Sequence, residues 1–460
     1  MLANKRFFLA VVALLALSAA IASGSNCGSK RVTRERIVEW HDKIYSTTNV
    51  LGAPGGGASG LRAWAMVVTA MFDAANLADD SEYASYLDLS GIPSSINVNK
   101  AEPLAAAAKA AEVVLNGLIP ASASADVRNM LKFSHLSQLS VHLGALPDNY
   151  KTANGIALGE FVGLRMLANR TNDGHPPNNC NNWPSPATAA CPNSVPNSTF
   201  WYKYQYDLPY FPGQPNSPGY PQVRPFAIPA YDSALFTVPA QPAPGTPQHL
   251  SDFAETYAFG TSNASLSART AETDAIARFH DGNFGSQVGW AMDYVSSSGI
   301  DVDGVDLLRV LALAAISSHD AHATHWLYKY THYNGRPIVA YRTVTPDSPA
   351  HAYVDPSWTP VLTTSQTPEH PSGHSARSGG ACFAFIKAFG DVPPNGNFRT
   401  ISYSQPQLGS RTYTSIMQFY QEVHNSRVYG GVHWRSALIA GQNLAEQVTN
   451  YAFGKILRRN

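Results

Sequence analysis

The sequence predicts an all-α protein, on three observations. Apolar residues recur at three- and four-residue spacing along much of the chain, as in Leu158, Phe161, Val162 and Met166, which is the period of one helix face. Runs with the two-residue alternation of strands are sparse and short. Of the 460 residues 44% are hydrophobic and 14% charged, so a sizeable core can be buried.

Residues 1–22 read as a removable secretory signal peptide. Lys5 and Arg6 precede the apolar run Phe7 to Ala20, and Ala20-Ile21-Ala22 offers a small-x-small cleavage site. The run is too short for a comfortable membrane span, so a secreted protein without a membrane anchor is expected. Residues 23–170 are expected as an N-terminal helical half, with Ala105 to Leu118 its clearest helix. Gly52 to Gly60 is a glycine-rich loop. Its Gly55-Gly56-Gly57 run follows no strand and carries no Gly-Lys-Ser, which argues against nucleotide binding. Residues 171–250 hold 17 of the chain's 32 prolines, with Trp201, Tyr202, Tyr204, Tyr206, Tyr210 and Phe211 among them. Proline forbids one long helix there, and the aromatic content favours a long ordered loop wrapped on the helices over a disordered linker. Residues 251–460 are expected as a C-terminal helical half. Helical spacing covers Arg269 to His280 and Val288 to Ser296, and the apolar run Leu307 to Ile316 continues towards Lys329. On that last helix His322, His325, Trp326 and Lys329 share one face.

Lys+Arg and Asp+Glu both number 32. The balance excludes the basic excess of a nucleic-acid or acidic-membrane binder. In an oxidising compartment Cys180 and Cys191, which flank Pro184 and Pro186, are the expected disulfide pair. Cys382 sits among core-like residues and is expected as a buried free thiol, which leaves Cys27 without an assigned state. Asn169, Asn197 and Asn263 open glycosylation sequons, as a secreted glycoprotein would carry.

The chemistry centres on Glu369-His370-Pro371-Ser372-Gly373-His374-Ser375. Pro371 has no N–H to lose at a helix start, while Ser372 and Gly373 can aim a hydroxyl and free amides at an anion. His374 follows as a proton donor or acceptor. Ala381, Ala384, Phe385 and Ala388 continue at helical spacing, so the turn opens a packed helix whose positive dipole end faces the ligand. Two further clusters join it: Lys329 followed after six residues by Arg336-Pro337, and Ser426-Arg427 followed after five by His433-Trp434. Three cations, two imidazoles and a helix N-terminus suit a tetrahedral oxyanion of phosphate size. Taken singly, a Lys or Arg is more often a solvated surface charge, a His a structural one, and Trp326 core. It is the joint occurrence in this order that points to a site.

Lys-x6-Arg-Pro, Pro-Ser-Gly-His and Ser-Arg-x5-His together resemble the vanadium-dependent haloperoxidases and, more distantly, the class A acid phosphatases and lipid phosphatases of the same superfamily. Trp326-Leu327-Tyr328-Lys329 and Asn334-Gly335-Arg336-Pro337 look like the haloperoxidase branch, as do the stretches Arg62 to Ala74 and Ala268 to Phe279. The resemblance implies two packed helical bundles and a bound vanadate on which hydrogen peroxide oxidises halide to hypohalous acid. It also implies His433 as the residue bonded to vanadium and His374 as the acid-base residue. Lys329, Arg336, Ser372, Gly373 and Arg427 would hold the vanadate oxygens, with Trp326 lining the pocket. Two positions depart from the family's pattern. Ala437 stands where an acidic residue often orients the last histidine, so a partner for His433 must come from elsewhere. Thr367 stands five residues before Ser372, where an aromatic or histidine often influences halide use.

Three rival readings remain at this level. A phosphatase would use the same cradle to stabilise a phosphohistidine on His433. A zinc enzyme would draw on His319, His322, His325 and His332, although His319 and His325 point to different sides of a helix. A non-catalytic secreted oxyanion-binding protein could keep the fold without turnover.

Overall fold

The computed structural model describes residues 32–51, 57–175, 220–231, 234–282, 284–332, 334–343, 347–365, 367–403 and 405–460. The expected signal segment, Cys27, Cys180, Cys191, Asn197 and the aromatics Trp201 to Phe211 lie outside them. The described chain is mostly helical, as predicted, and forms one compact unit from Val32 onwards.

Among the described residues five helices come first: α1 (Arg34–Val50), α2 (Gly57–Ala78), α3 (Pro103–Gly117), α4 (Ala125–Gly144) and α5 (Tyr150–Arg170). Helix α3 starts where Glu102 accepts a hydrogen bond from the Ala105 amide at 2.7 Å, with Pro103 in the first turn where its missing N–H costs nothing. Its alanine face lets α5 approach closely. A Cβ placed on Gly155 would come within 2.5 Å of the Glu102 carbonyl, and one on Gly159 within 2.2 Å of the Ala106 carbonyl. The alanines and glycines of these two helices are therefore one packing feature.

After the proline-rich stretch come α6 (Pro247–Gly260), α7 (Ala271–Phe279), α8 (Phe284–Ser297), α9 (Gly304–His332), α10 (Pro337–Thr343), α11 (Gly373–Phe389), α12 (Ile416–Tyr429) and α13 (Arg435–Lys455). Helix α9 runs through the centre and packs on α2 of the first group and on α11 and α13 of the second. Its residues Leu307, Leu308, Leu311 and Ile316 share one buried apolar cluster with Trp64, Phe72, Phe385 and Phe419. The long apolar stretch within α9 is thus buried on several sides at once, as its lack of a polar face requires. Against α9, Gly380 of α11 lies so close that a Cβ there would meet the Ser318 amide nitrogen at 2.5 Å. Cys382 is a buried free thiol in the same helix, as expected.

Two elements differ from the sequence reading. Helix α6 begins at Pro247, inside the stretch expected as loop to residue 250; Thr246 caps it and Pro247 occupies its first turn, so the proline starts the helix there. A small antiparallel hairpin pairs β1 (Phe398–Ile401) with β2 (Ser410–Tyr413), placing Phe398 opposite Tyr413 against Trp290. Strands this short carry too little alternation to be read from sequence.

Residues 220–231, a described part of the proline-rich stretch, are held on α9 by a buried carboxylate. Asp320 accepts hydrogen bonds from the amides of Phe226, Ala227 and Ile228 at 2.9, 2.7 and 3.2 Å, and from His319 Nδ1 at 2.9 Å. Asn169 and Asn263 are exposed. No described helix is long and apolar enough to cross a membrane.

Candidate active site

The three motif clusters converge where the end of α9, the start of α11 and the loop between α12 and α13 meet. Lys329 lies near the end of α9, and its Nζ donates to the carbonyls of Pro368 and, at 2.9 Å, Glu369. The chain turns after His332 and presents Arg336 just before α10. The Arg336 guanidinium makes four contacts: Nε donates to the Thr367 carbonyl at 2.8 Å, and one terminal nitrogen to the Thr367 hydroxyl at 2.7 Å. The other donates to the Val432 carbonyl at 2.7 Å and to His433 Nε2 at 2.9 Å. Thr367, singled out from sequence as a position tied to halide use, is therefore a buried anchor for Arg336.

Ser372 caps α11 and accepts from the Ser375 amide at 3.4 Å, which leaves its hydroxyl proton free to donate. Its own amide donates to the Ala437 carbonyl at 2.9 Å, and a Cβ on Gly441 would meet the Ser372 carbonyl at 2.6 Å. The N-terminal turns of α11 and α13 are thereby locked together. His374 follows as the second residue of α11, partly buried. Arg427 occupies the last turn of α12 and donates to Asp281 at 3.3 Å. The segment from Arg427 to His433 passes through Gly431, whose φ is +73° and whose added Cβ would meet the Gly260 carbonyl at 2.4 Å. Glycine is required there on both counts.

Glu369 supplies the partner that Ala437 does not. Its Oε1 accepts from His433 Nδ1 at 2.8 Å and from the Trp434 amide at 2.9 Å. With Nδ1–H given to the carboxylate, Nε2 keeps its lone pair, and that nitrogen is the one Arg336 contacts. Burial pushes the Glu369 carboxyl up to about 7, against the opposing pull of Arg336 and Lys329. Burial, then Arg336, Lys329, Arg427 and His374, hold His433 protonation well below the usual range, so the imidazole is neutral and able to bond a metal. His374 is pushed the same way by burial, Arg427 and Arg377.

Arg377 is a fourth cation that sequence reasoning missed. One turn after His374 on α11, its terminal nitrogen lies 3.4 and 3.2 Å from the two His374 ring nitrogens and donates to the Gly282 carbonyl at 3.1 Å. The i, i+3 spacing in His374-Ser375-Ala376-Arg377 was the signal available. Burial lowers Arg377 to about 9 and Arg336 to about 10. Trp326 is buried on α9, stacked on Tyr330 at 5.5 Å and tilted against His325 at 4.8 Å. His319 faces Asp320 and Tyr220, and the described residues contain no group of three or more His, Cys, Asp or Glu placed to hold a metal ion.

The donor set fits a tetrahedral oxyanion such as vanadate. Four buried cations face one buried carboxylate, Glu369, and a partly exposed one, Asp281. The Nε atoms of Arg377 and Arg427 are buried without a hydrogen-bond partner among the described residues. An anion would satisfy both the charge and these donors.

The helical-bundle fold is shared with solved structures of vanadium-dependent haloperoxidases. The chain resembles a bacterial vanadium-dependent iodoperoxidase with TM-score 0.70 and 21% identity, over 94% of this chain and 98% of that one. It also resembles a bacterial vanadium-dependent chloroperoxidase in its apo form (TM-score 0.59, 15% identity, 87% and 93% coverage) and its holo form (0.60, 16%, 87% and 91%). Residues 309–459 match the family model described as VCPO second helical-bundle domain. No curated protein matches the chain in sequence.

Glu369→Ala is expected to weaken vanadate binding by about ten- to a hundredfold, because His433 loses the group that sets its tautomer and ring orientation. Glu369→Gln keeps one acceptor oxygen and should fall between. Calorimetric titration of both variants with orthovanadate checks this; wild-type affinity in Glu369→Ala would contradict it.

Proposed function

We propose that the protein is a vanadate-dependent haloperoxidase that oxidises halide with hydrogen peroxide to hypohalous acid. The observation that carries this reading is the neutral His433 imidazole, with Nδ1 tied to Glu369 and Nε2 directed into a ring of buried cations. Lys329, Arg336 and Arg427 would hold the vanadate oxygens together with the Ser372 hydroxyl and the Gly373 amide, and His433 would bond the metal through Nε2. Bound vanadate supplies a Lewis-acid centre that activates peroxide towards a halide nucleophile. The buried cations stabilise negative charge on the ligand, and the low-dielectric surroundings strengthen that effect. His374, kept neutral, can take a proton from an incoming hydroxyl and return it later. Residues 1–22 and the exposed Asn169 and Asn263 support a secreted glycoprotein.

A phosphatase would draw on the same residues, so the test must separate the two. The measurement is vanadium content and halide oxidation after incubation with orthovanadate, set against hydrolysis of a phosphate ester by the same preparation. Stoichiometric vanadium and peroxide-dependent oxidation are expected. Ester hydrolysis without halide oxidation would assign the phosphatase, binding without either activity the non-catalytic reading, and equal activity after complete removal of vanadium would rule out the mechanism.

A further inference from the structure

We propose that His325 makes the site selective for a protonated tetrahedral oxyanion, hydrogen vanadate or hydrogen phosphate, over one that carries no proton, such as sulfate. The inference rests on reading the site as an oxyanion cradle. His325 stands one turn before Lys329 on α9, is 1% exposed, and stacks on His322 with ring centroids 4.3 Å apart at 24°. Its Nδ1 faces the His322 carbonyl, which can only accept, so Nδ1 carries the proton and Nε2 the lone pair. That lone pair lies at the mouth of α11: a Cβ built on Gly373 would come within 2.8 Å of Nε2. The ring therefore fills the space that glycine leaves beside the amide cradle. Burial holds the ring neutral, and Lys329, Arg377 and Arg336 reinforce the effect from α9, α11 and the loop before α10.

Most of the other groups set around the ligand donate. Lys329, Arg336, Arg377, Arg427, the Ser372 hydroxyl and the Gly373 amide all offer hydrogens. The His374 ring nitrogens already face an Arg377 N–H, and the His433 Nε2 lone pair faces Arg336. The Nε2 of His325 is an acceptor beside Gly373 that no protein donor occupies among the described residues. Glu369 Oε2, also without a partner there, belongs to the carboxylate that takes the Nδ1–H of His433. An acceptor placed among donors is matched by a ligand oxygen that bears hydrogen. Vanadate and phosphate keep such a hydrogen at neutral pH, whereas sulfate would set an oxygen lone pair against the imidazole lone pair. Sites built to receive a ligand O–H reject analogues that lack it.

The test is calorimetric titration of the full chain at neutral pH with orthovanadate, phosphate and sulfate, on wild type, His325→Phe and His325→Gln. Wild type is expected to prefer vanadate and phosphate to sulfate. His325→Phe should lose roughly ten- to a hundredfold in vanadate and phosphate affinity with sulfate binding unchanged or tighter. His325→Gln, which can turn a carbonyl oxygen to the same place, should recover part of the preference. Thermal unfolding identifies a variant that fails to fold, in which case His325→Leu removes the same acceptor and is judged by the same ratio. If wild type binds vanadate and the acceptor-free variant keeps the wild-type phosphate-to-sulfate ratio, the assignment of His325 is overturned while the cradle stands. If wild type binds none of the three anions, the cradle reading fails and this inference fails with it.

Discussion

His433→Ala is expected to abolish tight vanadate binding and halide oxidation together. With its Nδ1–H given to Glu369, the imidazole turns its Nε2 lone pair to the centre and is the group assigned the bond to vanadium. The cations, Ser372 and Gly373 offer charge and hydrogen-bond donors. The change also takes a partner from two neighbours. Glu369 Oε1 would keep only the Trp434 amide at 2.9 Å, and the Arg336 nitrogen now 2.9 Å from Nε2 would lose that acceptor. Each keeps one partner, the Trp434 amide and the Val432 carbonyl. The two lost hydrogen bonds therefore cost about 0.5–1.5 kcal/mol each, and a modestly lowered unfolding temperature should accompany the loss of binding. Equilibrium titration with orthovanadate, steady-state oxidation of halide and thermal unfolding read the three consequences separately. A variant that bound vanadate as tightly as wild type would show that His433 is not the metal ligand.

His374→Ala should separate binding from turnover. His374 is partly buried at the opening of α11, and its contacts run to Arg377 and not to the anchors that fix Lys329 and Arg336. Removing it leaves the cradle standing, so vanadate affinity should change little. Turnover should fall by about a hundred- to ten-thousandfold, the range for loss of a positioned acid-base group. Normal turnover in this variant would move the proton-handling role to another residue, and His325, beside Gly373, would be the next to replace.

The arrangement around His433 shows how its ring is held without an acidic residue at position 437. The orienting carboxylate comes from Glu369, on the segment leading into α11, and position 437 is left to alanine. In turn, the Ala437 carbonyl receives the Ser372 amide at 2.9 Å, and Ala437 is fully buried. A small residue there lets α13 sit against the Ser372 turn, while the carboxylate reaches His433 from the other side.

Much of this was legible in the residues alone. Helical periodicity located α3, α5, α9 and α11, because each buries an apolar stripe that must recur at the helix period. The spacings Lys-x6-Arg-Pro, Pro-Ser-Gly-His and Ser-Arg-x5-His named seven residues that the fold brings into one region. Within such local motifs, backbone geometry alone sets which groups can meet. Glu369 and Arg377 carried no assigned role, His325 had one only in the rival zinc reading, and Thr367 figured only as a position tied to halide use. Their meaning depends on contacts between residues far apart in sequence, such as Glu369 with His433 and His325 with Gly373, which no local pattern encodes. Thr367 shows this most plainly, because only the folded chain sets its hydroxyl 2.7 Å from Arg336. The same holds for Pro247, which opens a helix only because Thr246 caps it, and for the hairpin at Phe398, whose four-residue strands are stabilised by packing on Trp290 and not by their own alternation. Motif and period are properties of neighbours along the chain; tautomer, charge pairing and the fit of a ring beside a glycine are properties of neighbours in space, and these the tertiary structure decided.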